Sequence, residues 1–283
     1  MAGIVWEERP ELRDPVLVAG FEGWNDAASA ASQAADWLTG RFVATKVASI
    51  DSEELFDFQS VRPTVELVDG VTRGLKWPAN EFFAVPVGGR DLVVLRGVEP
   101  NLRWPEFCRE VLDVAAETGC EMVVTLGALL ADAPHTRPVR VTGATTDPEL
   151  MARLGLQRSR YEGPTGIVGV LHDTARAAGV VSASLWAPVP HYVSTPPNPL
   201  ATRALLDRLG QLLGTPFELD GLDEQGREWR ARVDEVVSED DDVRGYVGQL
   251  EERYDAEAET DVPSGETLAA EVEQFLRDQP DDG

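Results

Sequence analysis

Lysine is almost missing from this sequence: of its 25 basic residues only Lys46 and Lys76 are lysine. A glycine-rich loop closing in Gly-Lys-Ser/Thr therefore cannot be built, which removes the P-loop as a phosphate cradle. Cysteine is equally scarce. Cys108 and Cys120 fit no CxxC or Cys/His spacing, so neither a disulfide framework nor a zinc site is signalled, and both thiols are expected to be reduced packing residues. No stretch approaches ~20 uninterrupted apolar residues. The N-terminal MAGIVWEERPELRDP puts charge where a signal peptide needs an apolar core. A soluble, cytoplasmic protein without membrane contact is the expectation. Excess positive charge is lacking too: 25 basic against 50 acidic residues give a formal charge of −25, which repels a phosphate backbone and argues against nucleic acid as a partner. Neither a Gly-x-Ser-x-Gly elbow nor a His-Glu-x-x-His helix occurs, so no metal and no cofactor are expected.

What the sequence does have is an uneven spread of charge. From Phe217 to the end there are 23 acidic and 6 basic residues, a net of −17, which leaves −8 for residues 1–216. The change falls at GTPFELDG (214–221), where Gly, Pro and Asp end a helical pattern. The 283 residues are accordingly read as an α/β body over 1–216 and an acidic helical appendage over 217–283.

In the body, apolar runs of strand length (16–19, 43–50, 82–87, 92–95, 122–126 and 181–186) are interleaved with helical patterns (27–39, 105–117, 166–177 and 199–213). Runs such as DLVVL and EMVVTL suit strands buried on both faces, as in a largely parallel sheet. The order implies a three-layer α/β/α sandwich. One segment breaks the rhythm: PTVELVDGVTRGL (63–75) carries Asp69-Gly70 between two alternating runs, a hairpin signal expected to project from the sheet edge or over its rim. Beyond residue 217, Leu222, Trp229, Val233 and Val236 trace one helical stripe, Val243, Tyr246, Leu250 and Tyr254 a second, and Leu268, Val272 and Phe275 a third. Those helices are expected to cover the body or a neighbouring subunit, acidic faces outward.

VLVAGFEGWNDAASAASQAADWL (16–38) joins a strand, a glycine turn and an alanine helix, the parts from which a nucleotide site can be made. Its turn reads Gly20-Phe21-Glu22-Gly23, with an aromatic ring and a carboxylate where a dinucleotide loop needs bare amides. ATP or NAD is therefore not expected here. Asn25 or Asp26 is placed to cap the helix. Ala27, Ala31, Ala34 and Leu38 share a face whose small side chains allow close approach to the sheet or to another subunit.

That opening, together with DSEELFDFQSVRP (51–63), LRGVEPNLRWPEF (95–107), TLGALLADAPHTRPVRVTG (125–143), SLWAPVPHYV (184–193) and YVGQLEERYD, resembles the proteasome assembly chaperone 2 (PAC2) family in its actinobacterial branch. The likeness runs over roughly the whole chain. It implies a sandwich like that of nucleoside phosphorylases and related hydrolases, around a mixed sheet, and a homotrimer. It also implies a protein partner, the proteasome being one candidate. Eukaryotic and some archaeal relatives end in a hydrophobic residue, a tyrosine and one last residue that enter proteasome pockets, whereas this sequence ends Pro280-Asp281-Asp282-Gly283.

Two functional readings stay open. In open α/β sheets ligands sit beyond the carboxyl ends of the strands, and the polar residues there are Glu22, Asn25 and Asp26, then Arg96, Glu99 and Asn101, then His135, Thr136 and Arg137, then His191 and Tyr192, with Glu162 and Thr165 from YEGPTG. Converging, Glu22, Asn25, Asp26, Glu99, His135, Arg137, Glu162, His191 and Tyr192 would form a cleft for a small-molecule-binding or hydrolytic enzyme. Each is equally explained as a cap, an ion-pair partner or a packed loop residue, which favours a protein-interaction module. For that module Phe56, Phe58, Trp77, Phe82 and Phe83 supply an aromatic surface expected to be buried between subunits. Deleting Gln279–Gly283 should leave folding, oligomeric state and affinity capture of a partner unchanged, since five polar residues bury little; loss of capture with an intact fold would make the contact tail-mediated.

Overall fold

The computed structural model describes residues 3–68, 72–154 and 162–261. Its strands are β1 (Ile4–Trp6), β2 (Val16–Glu22), β3 (Thr45–Ile50), β4 (Thr64–Val68), β5 (Thr72–Lys76), β6 (Asn80–Pro86), β7 (Asp91–Val98), β8 (Met122–Ala131), β9 (Thr142–Thr145) and β10 (Val181–Pro190). The helices are α1 (Ala30–Arg41), α2 (Trp104–Glu117), α3 (Pro148–Leu154), α4 (Ile167–Ala177), α5 (Pro199–Leu213), α6 (Asp220–Ser238) and α7 (Asp241–Asp261). Eight strands form one sheet in the order β1-β3-β6-β7-β2-β8-β10-β9, while β4 and β5 pair only with each other.

The sheet is parallel only in its middle, from β7 through β2 and β8 to β10; β1, β3, β6 and β9 pair antiparallel. Connection length decides this. The residues between β6 and β7 make a tight turn, which can join only antiparallel neighbours, whereas the central strands are joined by helices. Along β2 the side chains alternate between two cores: Val16 and Val18 enter the one covered by α1 and α5, Leu17, Ala19 and Phe21 the one covered by α2 and α4. The three layers follow. Each buried Val, Leu or Phe among them is worth about 1.5–3 kcal/mol, so a charge at any of these would consume much of a typical ~5–15 kcal/mol stability.

Gly20 explains the alanine helix. A Cβ built at Gly20 would fall 2.7 Å from the Ala31 carbonyl oxygen and 3.1 Å from the Ala35 Cβ, so the backbone of α1 lies directly on β2. Ala31, Ala34 and Leu38 are buried under that contact. The helix begins at Ala30, after a 3₁₀ turn in which Ala28 and Ser29 take left-handed φ values of 50° and 56°. Asp26 is the cap, reaching over this turn to accept from the Ala31 and Ser32 amides at 2.7 and 3.1 Å. Cys108 and Cys120 are buried with free thiols, both pushed up to about 11 by desolvation.

Beyond α5, Phe217 packs edge-on against Trp37, and α6 lies against α5. The buried stripe of α6 is Leu222, Gly226, Trp229, Val233 and Val237. Val236, expected in it, is exposed, because the helix keeps a four-residue step from Trp229 to Val237. In α7, Val247 and Leu250 are buried. The stripe expected at Leu268, Val272 and Phe275 lies outside the described residues, as do the turn at Asp69-Gly70 and the C-terminal Pro280–Gly283.

The aromatic cluster is distributed differently from its expected place between subunits. Phe56 and Phe82 are buried in the core shared with α2 and α4, Phe83 packs against the opposite core, and Phe58 is half-buried with Trp77 edge-on to it at 4.8 Å. Phe82 faces inward because β6 is an interior strand, so alternate residues point into the two cores. Gly20→Ala is expected to lower stability by about 1–3 kcal/mol in urea denaturation, since α1 must move off the sheet; Gly40→Ala, where nothing lies within 4 Å of the added carbon, should hold or raise it.

Candidate functional site

The carboxyl ends of the parallel strands carry two separate polar clusters. At the first, Glu99 follows β7, and its carboxylate accepts the Trp24 amide at 3.0 Å and the Ile167 amide at 2.8 Å. Its own amide donates to the Glu22 carbonyl at 2.8 Å. Glu99 thereby ties the turn after β2 to the first residue of α4, where a carboxylate also meets the positive end of the helix dipole. Two glycines make room for it. Gly23 has φ +134°, and a Cβ there would sit 2.8 Å from the Glu99 Cβ; at Gly166 it would sit 2.0 Å from the Asn25 Oδ1 and 2.7 Å from the Glu99 Oε1.

Asn25 is buried, accepting the Ala128 amide through its carbonyl at 2.7 Å, while its side-chain oxygen has no partner. Asp26 is buried beside it, and desolvation raises its carboxyl above the usual range despite the bonds from Ser32 and Ala31. Glu22 and Trp24 point to solvent, and Glu162 lies exposed ahead of α4.

The second cluster joins the loops after β8 and β10 to the acidic helices. His135 is buried, with Nδ1 2.7 Å from the Tyr192 hydroxyl and Nε2 2.9 Å from Asp234 of α6. A carboxylate can only accept, so the network assigns the proton to Nε2. Tyr192 then donates to Nδ1 while accepting the His135 backbone amide at 2.9 Å. Burial pushes the Tyr192 hydroxyl up to about 12. His191 lies 2.8 Å from the Tyr246 hydroxyl, which donates to Asp132.

Arg137 grips α7 through a two-pronged contact with Asp255 at 2.9 and 2.8 Å and a third bond to Glu251 at 3.2 Å. Thr136 also donates to Glu251. Arg140 stacks over Tyr254 at 3.6 Å and donates to its carbonyl. His135, Arg137, His191 and Tyr192 thus meet each other's neighbours, while Glu22, Asn25, Asp26 and Glu99 form the other group. No hydrogen bond among the described residues links the two.

The partners that sequence reasoning missed are Asp234, Glu251 and Asp255. They sit on helix faces assigned to solvent, and only the buried imidazole and guanidinium opposite them distinguish them from the neighbouring carboxylates. Among the described residues no three His, Cys, Asp or Glu are placed to hold a metal ion, and no helix is long and apolar enough to cross a membrane.

Arg137 holds the Asp255 carboxyl below its ordinary value. The pair's contribution is therefore present above the unfolded value near 3.8 and is lost as pH falls through the lower folded one. Arg137→Ala should raise hydrogen exchange across α7 at neutral pH while sparing α5, and the gap from wild type should close in acid below pH 3.8. Unchanged exchange in α7 at neutral pH would remove Arg137 as its anchor.

The PAC2 family matches residues 20–237. A PAC2 family protein from Streptomyces avermitilis is 51% identical, with 83% of this chain and all of that chain covered and a TM-score of 0.77. A Mycobacterium tuberculosis proteasome-assembly chaperone homologue is 46% identical over 82% of this chain and 99% of its own, with a TM-score of 0.76. Pyrococcus furiosus PbaB, an archaeal proteasome activator, shares the fold at 22% identity, with 83% of this chain and 98% of its own covered and a TM-score of 0.68. No curated protein matches. With its α/β/α sandwich and two relatives from actinobacteria at 46–51% identity, the chain belongs to the PAC2 family.

Proposed function

We propose that this chain is a non-enzymatic, assembly-chaperone-like protein–protein module of the cytoplasm, an α/β body with a helical appendage from residue 217, that self-associates as a homotrimer through one face of its β4–β5 hairpin. The role named for the Mycobacterium tuberculosis relative enters as part of this proposal. One observation carries it. Val65, Leu67, Leu75 and Trp77 are 57%, 64%, 60% and 48% exposed; the two-residue repeat of a strand puts Val65, Leu67 and Leu75 on a single face, and Trp77 directly follows β5. Val65 stands directly opposite Leu75, while Glu66 and Lys76 occupy the reverse face.

Neither strand joins the main sheet, and among the described residues Phe58 meets only the Trp77 end of that face. Four half-exposed apolar side chains on an isolated two-stranded ribbon are costly; covering what remains exposed is worth about 3–7 kcal/mol before the cost of association is deducted. A hydrolytic reading of the strand-end rim has less support. Glu99, His135, Arg137 and Tyr192 are each committed to bonds that hold one element against another.

Light scattering at micromolar concentration should give three chain masses for wild type, and a smaller species for Leu67→Asp or Leu75→Asp. Both substitutions lie on exposed positions, so circular dichroism should remain that of wild type. A monomer mass for wild type, or a trimer indifferent to both substitutions, would withdraw the hairpin as the contact face.

A further inference from the structure

We propose that a cavity between α5, α6 and the segment ahead of β9 is a binding site for a small organic oxyanion, a metabolite bearing phosphate or carboxylate. The cavity has a volume of about 540 Å³, within the ~300–1,000 Å³ usual for small-molecule sites. Arg137, Arg140, Arg203, Arg208 and Arg230 all line it. That is five of the 25 basic residues of a chain whose formal charge is −25. Chance placement would surround such a cavity with carboxylates. The lining holds only two, Asp207 and Asp223.

The arginines differ in what they are doing. Arg137 and Arg140 are drawn toward α7 by Asp255, Glu251 and Glu257. Arg203 takes up both acidic lining residues, at 2.6 Å from Asp223 and 3.8 Å from Asp207. Among the described residues Arg208 and Arg230 have no carboxylate partner. Arg208 is braced by the Leu154 carbonyl and by Gln211 at 2.9 Å, which orients its guanidinium while its Nε stays buried and unpartnered.

Arg230 makes no hydrogen bond or ion pair among the described residues, and its Nε is likewise buried without a partner. With no carboxylate on either guanidinium among the described residues, an arriving oxyanion meets positive charge at the cavity wall that is not already paired. Guanidinium forks match the oxygen spacing of phosphate and carboxylate, making two parallel bonds to either. Between the arginines, Val139, Leu200 and Ala204 give apolar wall, which suits an organic body behind the charged group.

The test is calorimetric titration of the full chain at low ionic strength, with pyrophosphate and, separately, citrate as probes. At least one should bind saturably, one per chain, and Arg230→Gln should weaken it about tenfold or more. Ala204→Phe, which fills the cavity without changing its charge, should abolish it. Because Arg230 has no bond to lose, Arg230→Gln should melt no lower than wild type in the absence of probe. Pyrophosphate binding alone would narrow the class to phosphates, and citrate binding alone to carboxylates. Heats that fail to saturate with both probes, affinities that neither substitution changes, or a lowered melting temperature for probe-free Arg230→Gln would each overturn the proposal. None of these outcomes depends on the oligomeric state, so the site and the hairpin interface fail or stand separately.

Discussion

The contact between β2 and the backbone of α1 governs the centre of this molecule. β2 lies in the middle of the eight-stranded sheet, between β7 and β8, and at Gly20 the helix approaches so closely that one added carbon would reach a carbonyl oxygen. Such an approach requires small residues on the helix, hence its alanines. It also forces the chain to turn sharply between strand and helix, hence the left-handed Ala28 and Ser29 and the long reach of Asp26. The same geometry fills the space a phosphate would need. The amides at the start of α1 are taken by Asp26, and those of Trp24 and Ile167 by Glu99. A strand–glycine–helix junction has been used here for packing.

Charge governs the periphery. With twice as many acidic as basic residues, the acidic helices α6 and α7 would be repelled from the rest of the chain unless cations were spent where they dock, and that is where Arg137 and Arg140 are found. Their partners are a minority of the acids on α6 and α7, those that face inward. Exposed ion pairs contribute little each, typically about 0–1 kcal/mol. The apolar contact of Trp229, Val233, Val237 and Val247 therefore supplies most of the adhesion, and the charged contacts set the register in which the helices dock.

The sandwich was legible in the sequence because doubly buried strands leave continuous runs such as DLVVL, and the helices between them leave periodic ones. β1, β9 and α3 were not, since three to seven residues carry too little pattern. The apolar runs suited a largely parallel sheet, whereas four of the seven strand pairings in the main sheet are antiparallel: hydrophobicity reports burial, while strand direction depends on the length of the connection. Phe82 and Trp77 show the limit for single residues. Both are aromatic and both lie in or beside strands near the same hairpin, yet one is in the core and the other in water. Only the sheet order separates them. For the rim, the types of residue were legible but their pairing was not, because Asp234, Glu251 and Asp255 become distinctive only when the chain folds back on His135 and Arg137.

Sheet order also separates the two proposed surfaces. The hairpin leaves the chain between β3 and β6, on the β1 side of β2, whereas the arginine cavity lies beyond β8 and β10 on the other side. An anion in the cavity would bridge α5, α6 and the 137–141 segment, which are the surfaces across which the appendage is docked. Arg137 and Arg140 serve both that docking and the lining of the cavity, so the proposed oxyanion would compete with Asp255 and Glu257 for the same guanidinium groups. Occupancy of the cavity and the grip on α7 are thus two uses of one limited supply of positive charge, and what strengthens one draws on the other.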